Sequence, residues 1–126
     1  MLAIALVLTG LAALIHVYIW YLESLAWTKP STRKVFGTTE AEAESSKLLA
    51  MNQGFYNLFL AISIVVGTVL IALDHRDIGA TAVFIGAGSM VAAAAVLLAT
   101  APDKASAAVK QGLFPLIGVV LLAIAV

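Results

Sequence analysis

The sequence has no cysteine and few charged residues. Without cysteine the chain has no disulfide, no thiol nucleophile and no thiolate metal site. Charged residues occupy 11% of the 126 positions, less than half of the roughly 25% usual in soluble domains. Seven basic residues balance seven acidic ones, so net charge gives no support for a nucleic-acid partner. This composition excludes an ordinary water-soluble domain.

Hydrophobic residues are abundant instead, at 63% of the chain, with a mean hydropathy of +1.08. One membrane-spanning helix needs roughly 20 apolar residues. Four spans would use about 80 positions and leave about 46 for loops and ends. A domain needs at least about 50 residues, so we expect no extramembrane catalytic domain beside four spans.

Four uncharged apolar stretches predict four transmembrane helices. Charges or prolines bound them, notably Pro30, Lys47, Asp74 and Pro102. No stretch alternates apolar and polar residues with period two, which argues against barrel strands. We interpret the N-terminal run as a retained first span, because no Lys or Arg precedes it. The predicted helices are 2–27, 40–73, 78–101 and 105–126. We therefore predict an all-α integral membrane protein, residues 1–126 forming a single antiparallel four-helix transmembrane domain.

The distribution of basic residues predicts the orientation. Arg76 is the only one in the second loop, and the termini have none. The first and third loops with their flanks hold six: Lys29, Arg33, Lys34, Lys47, Lys104 and Lys110. By the positive-inside rule, the long first loop and the third loop are cytoplasmic and both termini lie outside. We expect a multi-pass protein of the bacterial inner membrane.

Two helices carry local signals of their own. Thr39 followed by Glu42 resembles a capping box, so helix two is predicted to begin about two turns before it enters the bilayer near Lys47. Helix three is dense in glycine, alanine and serine from Gly79 onward. Small residues let helices pack closely in membranes, so we interpret helix three as a packing helix. A lining that leaves room for a ligand is the alternative.

Polar side chains at membrane depth are costly and therefore informative. Helix one carries a stripe at helical spacing: His16, Trp20, Glu23 and Trp27. Helix two carries Asn52, Gln53, Tyr56 and Asn57, and helix four begins with Lys110 and Gln111. His16 and Asn57 each lie about 13 Å inside the cytoplasmic boundary at 1.5 Å per residue. We predict one polar cluster in the cytoplasmic half.

Each member of this cluster has a structural and a functional interpretation. His16 is either a general acid/base or proton relay, or a buried neutral histidine bonded to Asn57 or a backbone carbonyl. Glu23 either sits at the headgroup level or pairs with Lys110 and holds a cation or proton. The amides are equally suited to hydrogen bonds that join neighbouring helices. The tryptophans and tyrosines are equally suited to the aromatic belt at the membrane interface. We predict no metal site, because His16 and His75 belong on opposite sides.

Three stretches resemble a known family of small bacterial membrane proteins. They are His16-Val-Tyr-Ile-Trp-Tyr-Leu-Glu23, Thr32-Arg-Lys-Val-Phe-Gly37 and Asn52-Gln-Gly-Phe-Tyr-Asn57. The chain resembles, over essentially its whole length, the domain-of-unknown-function family number 1304. The Asn-Gln-Gly-x-Tyr-Asn run is the most specific part. This resemblance implies four helices and brings no activity with it.

The architecture also resembles the MAPEG family (membrane-associated proteins in eicosanoid and glutathione metabolism). Those proteins are four-helix trimers that bind glutathione on the cytoplasmic side, between neighbouring subunits. Their second helix carries Arg-Asn-x-x-Glu-Asn; of that pattern Asn57 matches, while the arginine and glutamate have no counterpart here. Arg33 and Lys34 resemble the basic cluster that follows their first helix. The resemblance implies a trimer with a cytoplasmic-side site, but without the arginine that would grip a glutathione carboxylate.

The sequence is compatible with three functions. The first is an oligomeric protein that binds a lipid-like or amphipathic small molecule, with His16 and Glu23 as candidate catalytic residues. The second is a small proton-coupled transporter using Glu23, and the third is an accessory subunit of a membrane complex. The predicted ligand-binding residues are Trp20, Glu23, Asn52, Gln53, Tyr56, Asn57, Lys110 and Gln111. No cofactor is predicted; the expected partners are the lipid bilayer and further copies of the chain.

Overall fold

The computed structural model describes all 126 residues and contains helices and short connections only. The α-helices are α1 (Leu2–Trp20), α2 (Pro30–Phe36), α3 (Glu40–Ser45), α4 (Lys47–Ala72), α5 (Arg76–Thr100) and α6 (Ala105–Ala125). A π-helical turn, Tyr21–Leu25, extends α1, and a 3₁₀ turn, Pro102–Lys104, precedes α6. α1 with its π turn, α4, α5, and α6 with its 3₁₀ turn are long and apolar enough to cross a membrane. This confirms the prediction of an all-α membrane protein with four spans.

The four long helices form an antiparallel bundle. α1 packs against α4, α4 against α5 and α5 against α6, and α6 returns to pack against α1. The connections from α1 to α4 and from α5 to α6 lie at one end of the bundle, which we call the loop end. Both chain termini and the turn at 73–75 lie at the other, the terminal end. There the Arg76 guanidinium donates a hydrogen bond of 2.6 Å to the carbonyl of Ala125, which joins the start of α5 to the end of α6.

Small residues allow α4 and α5 to approach closely toward the terminal end. A Cβ placed on Gly67 would lie 2.5 Å from the carbonyl oxygen of Gly79, and one on Gly79 would lie 2.6 Å from that of Gly67. Across the same pair of helices, Ser63 Oγ donates to the carbonyl of Ala82 at 2.8 Å. Glycine and serine contacts of this kind hold helices together in lipid, where the hydrophobic effect does not. The main core cluster consists of Ala12, Ala13, Ala61, Ile64, Ala87 and Met90.

Segment 40–73 is divided into two helices, whereas the sequence predicted one continuous helix. The predicted cap is present, since Thr39 Oγ1 accepts the Glu42 N–H at 3.1 Å. The division occurs at Ser46, whose φ of −102° and ψ of 5° lie outside the helical range. Ser46 Oγ donates to the Glu42 carbonyl at 2.7 Å, so the hydroxyl occupies an acceptor at the end of α3. Such local bonds from serine compete with continued helix.

The stretch that follows α1 also contains a helix, where the sequence predicted only a loop between helices 2–27 and 40–73. Pro30 does not merely stop the first span: it occupies the first turn of α2, where its fixed φ suits a helix start. Gly37 ends α2 with a φ of 67°, a left-handed conformation that glycine adopts readily. The Thr38 N–H then donates to the Arg33 carbonyl at 3.1 Å. Thr32 on α2 is only 1% exposed, so this short helix packs onto the bundle rather than projecting into solvent.

Candidate functional site

The π-helical turn at the end of α1 points three successive side chains into the protein. Its backbone bonds span five residues, as in the 3.0 Å bond from the Ala26 N–H to the Tyr21 carbonyl. Leu22, Glu23 and Ser24 are all buried, which an ordinary α-helix turn would not achieve on one face. Single π turns within α-helices are frequent at functional sites. Here the turn places a carboxyl group and a hydroxyl group against α4.

Gly54 on α4 makes room for this turn. A Cβ on Gly54 would collide with Ser24 Oγ and would lie 3.1 Å from both Glu23 Cβ and the Ser24 nitrogen. Because that space is open, Ser24 Oγ donates to the carbonyl of Met51 at 2.8 Å. The glycine of the Asn-Gln-Gly-x-Tyr-Asn run is therefore the contact point between α4 and the π turn.

The carboxyl group of Glu23 accepts a hydrogen bond from Asn57, which lies about one helical turn after Gly54 on α4. Asn57 Nδ2 donates to Glu23 Oε1 at 2.6 Å. Glu23 is 4% exposed, so it lies within the bundle and not at its surface. The sequence suggested either a headgroup-level position for Glu23 or a pairing with Lys110, and in the structure Glu23 is buried and bonded to Asn57.

A cavity of about 440 Å³ opens beside this pair at the loop end. All four long helices and the loop contribute to its wall. The lining residues are Ile19, Glu23, Trp27, Phe36, Gln53, Tyr56, Asn57, Leu60, Ala93, Leu97, Lys104, Ala107 and Gln111. The only hydrogen bond between two lining side chains joins Asn57 and Glu23. The remaining amides therefore have hydrogen-bonding capacity to offer a bound molecule.

Five of the eight predicted ligand-binding residues meet in this cavity: Glu23, Gln53, Tyr56, Asn57 and Gln111. The other three lie outside its lining. Asn52 is exposed and donates to the carbonyl of Leu48 in its own helix, at 2.9 Å. Lys110 is exposed, and the basic residue that does line the cavity is Lys104. The suggested pairing of Glu23 with Lys110 is thus replaced by the bond from Asn57.

Trp20 packs elsewhere, among aromatic rings between α1 and α4. Its ring centroid lies 6.0 Å from that of Phe55 in an edge-to-face arrangement, and Phe55 is 6.3 Å from Phe59. The Trp20 Nε1–H is buried without a hydrogen-bond acceptor. Trp20 therefore belongs to an aromatic contact between two helices, not to the cavity wall.

His16 lies about one turn deeper than Ile19 and does not line the cavity. It is 3% exposed, and its Nδ1 lies 2.8 Å from the carbonyl oxygen of Ala12. A carbonyl can only accept, so Nδ1 carries the proton. Of the partners suggested for a buried neutral histidine, the structure shows the backbone carbonyl, while Asn57 is engaged by Glu23.

Eight of the thirteen lining residues were not among the binding residues predicted from the sequence, and three of these, Trp27, Phe36 and Lys104, carry aromatic or charged groups. Trp27 lies just before α2 and Phe36 is its last residue. Their ring centroids are 4.9 Å apart at an interplanar angle of 59°. Trp27 Nε1–H donates to Ser46 Oγ at 3.1 Å, and Lys104 Nζ lies 3.5 Å from the carbonyl of Phe36. These contacts close the loop end over the cavity. Trp27 belonged to the stripe predicted on helix one and Phe36 to the Thr-Arg-Lys-Val-Phe-Gly stretch, but neither pattern indicated that the two rings would meet.

The wall therefore offers one carboxyl group, three amides, one phenol, two further aromatic rings and an ammonium group at the exposed edge. Such a mixture suits a small molecule that has a polar head and an apolar body. No group of three or more His, Asp or Glu side chains is arranged to hold a metal ion.

Residues 10–123 match the family model described as "Protein of unknown function (DUF1304)". The chain belongs to this family. In this DUF1304 protein the matched range includes the whole cavity wall, from Ile19 to Gln111. No curated protein and no solved structure matches the chain. The likeness to the MAPEG architecture therefore remains a prediction.

Proposed function

We propose that this DUF1304 protein binds a small amphipathic molecule in the loop-end cavity. The observation that carries the proposal is the cavity itself, about 440 Å³ in volume and lined by Glu23, Gln53, Asn57 and Gln111 within an otherwise apolar bundle. Polar side chains at membrane depth are costly. Contact with a bound ligand would offset the cost of placing these polar side chains around one cavity.

Hydrogen bonding between helices explains only part of this polar cluster. Asn57 and Glu23 do join α4 to the π turn, so this pair contributes to stability whether or not a ligand binds. Gln53 and Gln111 line the same cavity on α4 and α6 without joining those helices by a hydrogen bond. Their amides support a binding role, with Glu23 and Asn57 as orienting groups.

The lining supports entry from the bilayer and assembly with further copies. Tyr56 lines the cavity and is nevertheless 70% exposed, and Gln53 beside it is also exposed. The cavity therefore reaches the outer face of α4, where a lipid-like molecule has access. A second copy packed on this face would cover these polar groups. We propose a homo-oligomer, with a trimer favoured by the resemblance to MAPEG proteins.

We further propose that the loop end faces the cytoplasm of a bacterial inner membrane. The basic residues support this orientation, since Lys29, Arg33, Lys34, Lys47 and Lys104 all lie at the loop end. Arg76 alone lies at the terminal end. In this orientation the ligand site is open to the cytoplasmic leaflet.

Proton-coupled transport is the second candidate function, favoured by the burial of the Glu23 carboxyl group in a cavity. Binding without transport has stronger support, because in the terminal half α4 and α5 are in close contact at Gly67 and Gly79 and the core cluster there is apolar, formed by Ala5, Val83 and Leu122. Catalysis has less support than either, because His16 lies outside the cavity with its Nδ1–H donated to a carbonyl.

Native mass spectrometry of the protein released gently from its own membranes tests the proposal. We expect a retained small molecule in the wild type and its loss from the Gln53→Leu/Gln111→Leu double variant. Asn52→Leu is the matched control, since it replaces an amide outside the cavity wall. A wild-type protein that carries no small molecule, or a double variant that retains it fully, would contradict the binding function. The same spectra give the subunit number.

A further inference from the structure

We infer that the ligand of the loop-end cavity is an organic cation, with its ammonium group placed between the Glu23 carboxyl group and the rings of Trp27, Phe36 and Tyr56. This inference rests on the proposed binding function and adds the chemical class of the ligand. It follows from the charges and the aromatic rings that share the cavity.

The carboxyl group of Glu23 is buried without a cationic partner from the protein. Its one hydrogen-bond donor is the neutral amide of Asn57. Lys104, the only basic residue in the wall, directs its ammonium group to the Phe36 carbonyl at 3.5 Å and is exposed at the edge. A carboxyl group buried without a counter-charge must either hold a proton or be paired with a cation. A cationic ligand would supply the missing charge.

Three aromatic side chains line the loop-end cavity together with Glu23. Trp27 and Phe36 make a tilted pair, with centroids 4.9 Å apart and planes at 59°, and both line the cavity together with Tyr56. The π faces of aromatic rings attract alkylammonium groups, and aromatic side chains are the usual means of recognising quaternary ammonium ligands. The loop that brings Trp27 and Phe36 together therefore completes a wall suited to a cation that carries alkyl groups.

An inorganic cation fits this cavity poorly. Calcium and magnesium require about six or more oxygen ligands in a compact shell, and the wall provides a single carboxyl group with no acidic neighbour in the lining. Leu60 and Leu97 contribute apolar surface that a hydrated ion cannot use. An ammonium group with alkyl substituents uses both the charge and the apolar wall.

The test compares choline with 3,3-dimethylbutan-1-ol, which has the same shape but carries carbon in place of the charged nitrogen. Binding is measured by isothermal titration calorimetry on the full chain in dodecylmaltoside, a non-ionic detergent without ammonium groups. We expect wild-type protein to bind choline at least about tenfold more tightly, the ratio that corresponds to a difference of about 1.4 kcal/mol.

Two variants locate this preference. Glu23→Gln keeps an amide oxygen for Asn57 and removes the charge, so the preference for choline should disappear; Glu44→Gln, which removes an exposed carboxylate on α3, should retain it. Phe36→Leu keeps apolar volume and removes a π face, so choline binding should weaken several-fold more than binding of the alcohol. A purely structural role of Phe36 would weaken both compounds alike.

Equal binding of both compounds by the wild type would overturn the cation inference and leave the proposed binding function intact. Binding of neither compound, beside a retained neutral molecule in native mass spectra, would also overturn it. A preference that survives both Glu23→Gln and Phe36→Leu would place any cation elsewhere and refute the site. If Glu23→Gln fails to fold, Phe36→Leu alone decides between these outcomes.

Discussion

The contact between Gly54 and the π turn leads to a prediction about Gly54→Ala. The added Cβ would collide with Ser24 Oγ and lie 3.1 Å from Glu23 Cβ and from the Ser24 nitrogen. The hydroxyl can rotate away only by giving up its bond to the Met51 carbonyl. The backbone nitrogen and Glu23 Cβ cannot rotate, so the π turn itself must move.

The magnitude follows from these contacts. Overpacking a tight site costs about 1–3 kcal/mol, and loss of the Ser24 hydrogen bond costs about 1 kcal/mol. Alanine recovers about 0.5–1 kcal/mol, because glycine is a poor residue within a helix. We expect a net fall in the free energy of unfolding of about 1–3.5 kcal/mol.

Reversible unfolding in mixed micelles, followed by circular dichroism, measures this change. Gly88→Ala on α5 is the matched control, because no atom lies within 4 Å of the position that its Cβ would occupy; it should be neutral or slightly stabilising. Adding Ser24→Ala to Gly54→Ala removes the oxygen that clashes most closely and should recover part of the loss. If Gly54→Ala is as stable as Gly88→Ala, the close approach of α4 to the π turn is refuted.

Three other variants probe separate contacts. Asn57→Leu deprives the buried Glu23 carboxyl group of its donor and should lower the unfolding free energy by about 1–3 kcal/mol; an unchanged value in the same micelle assay would argue against the bond. Gly67→Ala places a methyl group 2.5 Å from the Gly79 carbonyl oxygen and should cost about 1–3 kcal/mol. Disulfide cross-linking between cysteines introduced into α4 and α5 would report the separation of the two helices. Thr39→Ala removes only the cap of α3, so hydrogen exchange should quicken in that helix, by the equivalent of about 1 kcal/mol, and stay unchanged in α4.

Sequence patterns alone were sufficient for the four spans. Each span is a continuous apolar run ended by charges or prolines, and burial of such a run in lipid depends on composition rather than on tertiary partners. Five members of the polar cluster were also predictable, because Glu23, Gln53, Tyr56, Asn57 and Gln111 lie at membrane depth on helices whose ends coincide. The fixed rise per residue of an α-helix places them at one level before any packing is known.

Tertiary structure decided which of these groups meet. The stripe from His16 to Trp27 assumed an unbroken α-helix, but the π turn inserts a residue and changes the direction of every side chain after it. That turn depends on Gly54, which is distant in sequence, and on the bond from Ser24 to Met51. As a result Asn57 binds Glu23 rather than His16.

The loop shows the same division between local and non-local causes. Its caps are local, so Thr39 was recognisable as the start of α3. The wall formed by Trp27 and Phe36 depends on contacts that are not local. It requires α2 to fold back onto the bundle, and it requires Lys104, 68 residues after Phe36, to reach the Phe36 carbonyl. Composition and helical periodicity therefore determined that this protein is a four-helix membrane bundle with polar residues near one end. Only packing between distant segments determined that those residues enclose a cavity, and which side chains form its wall.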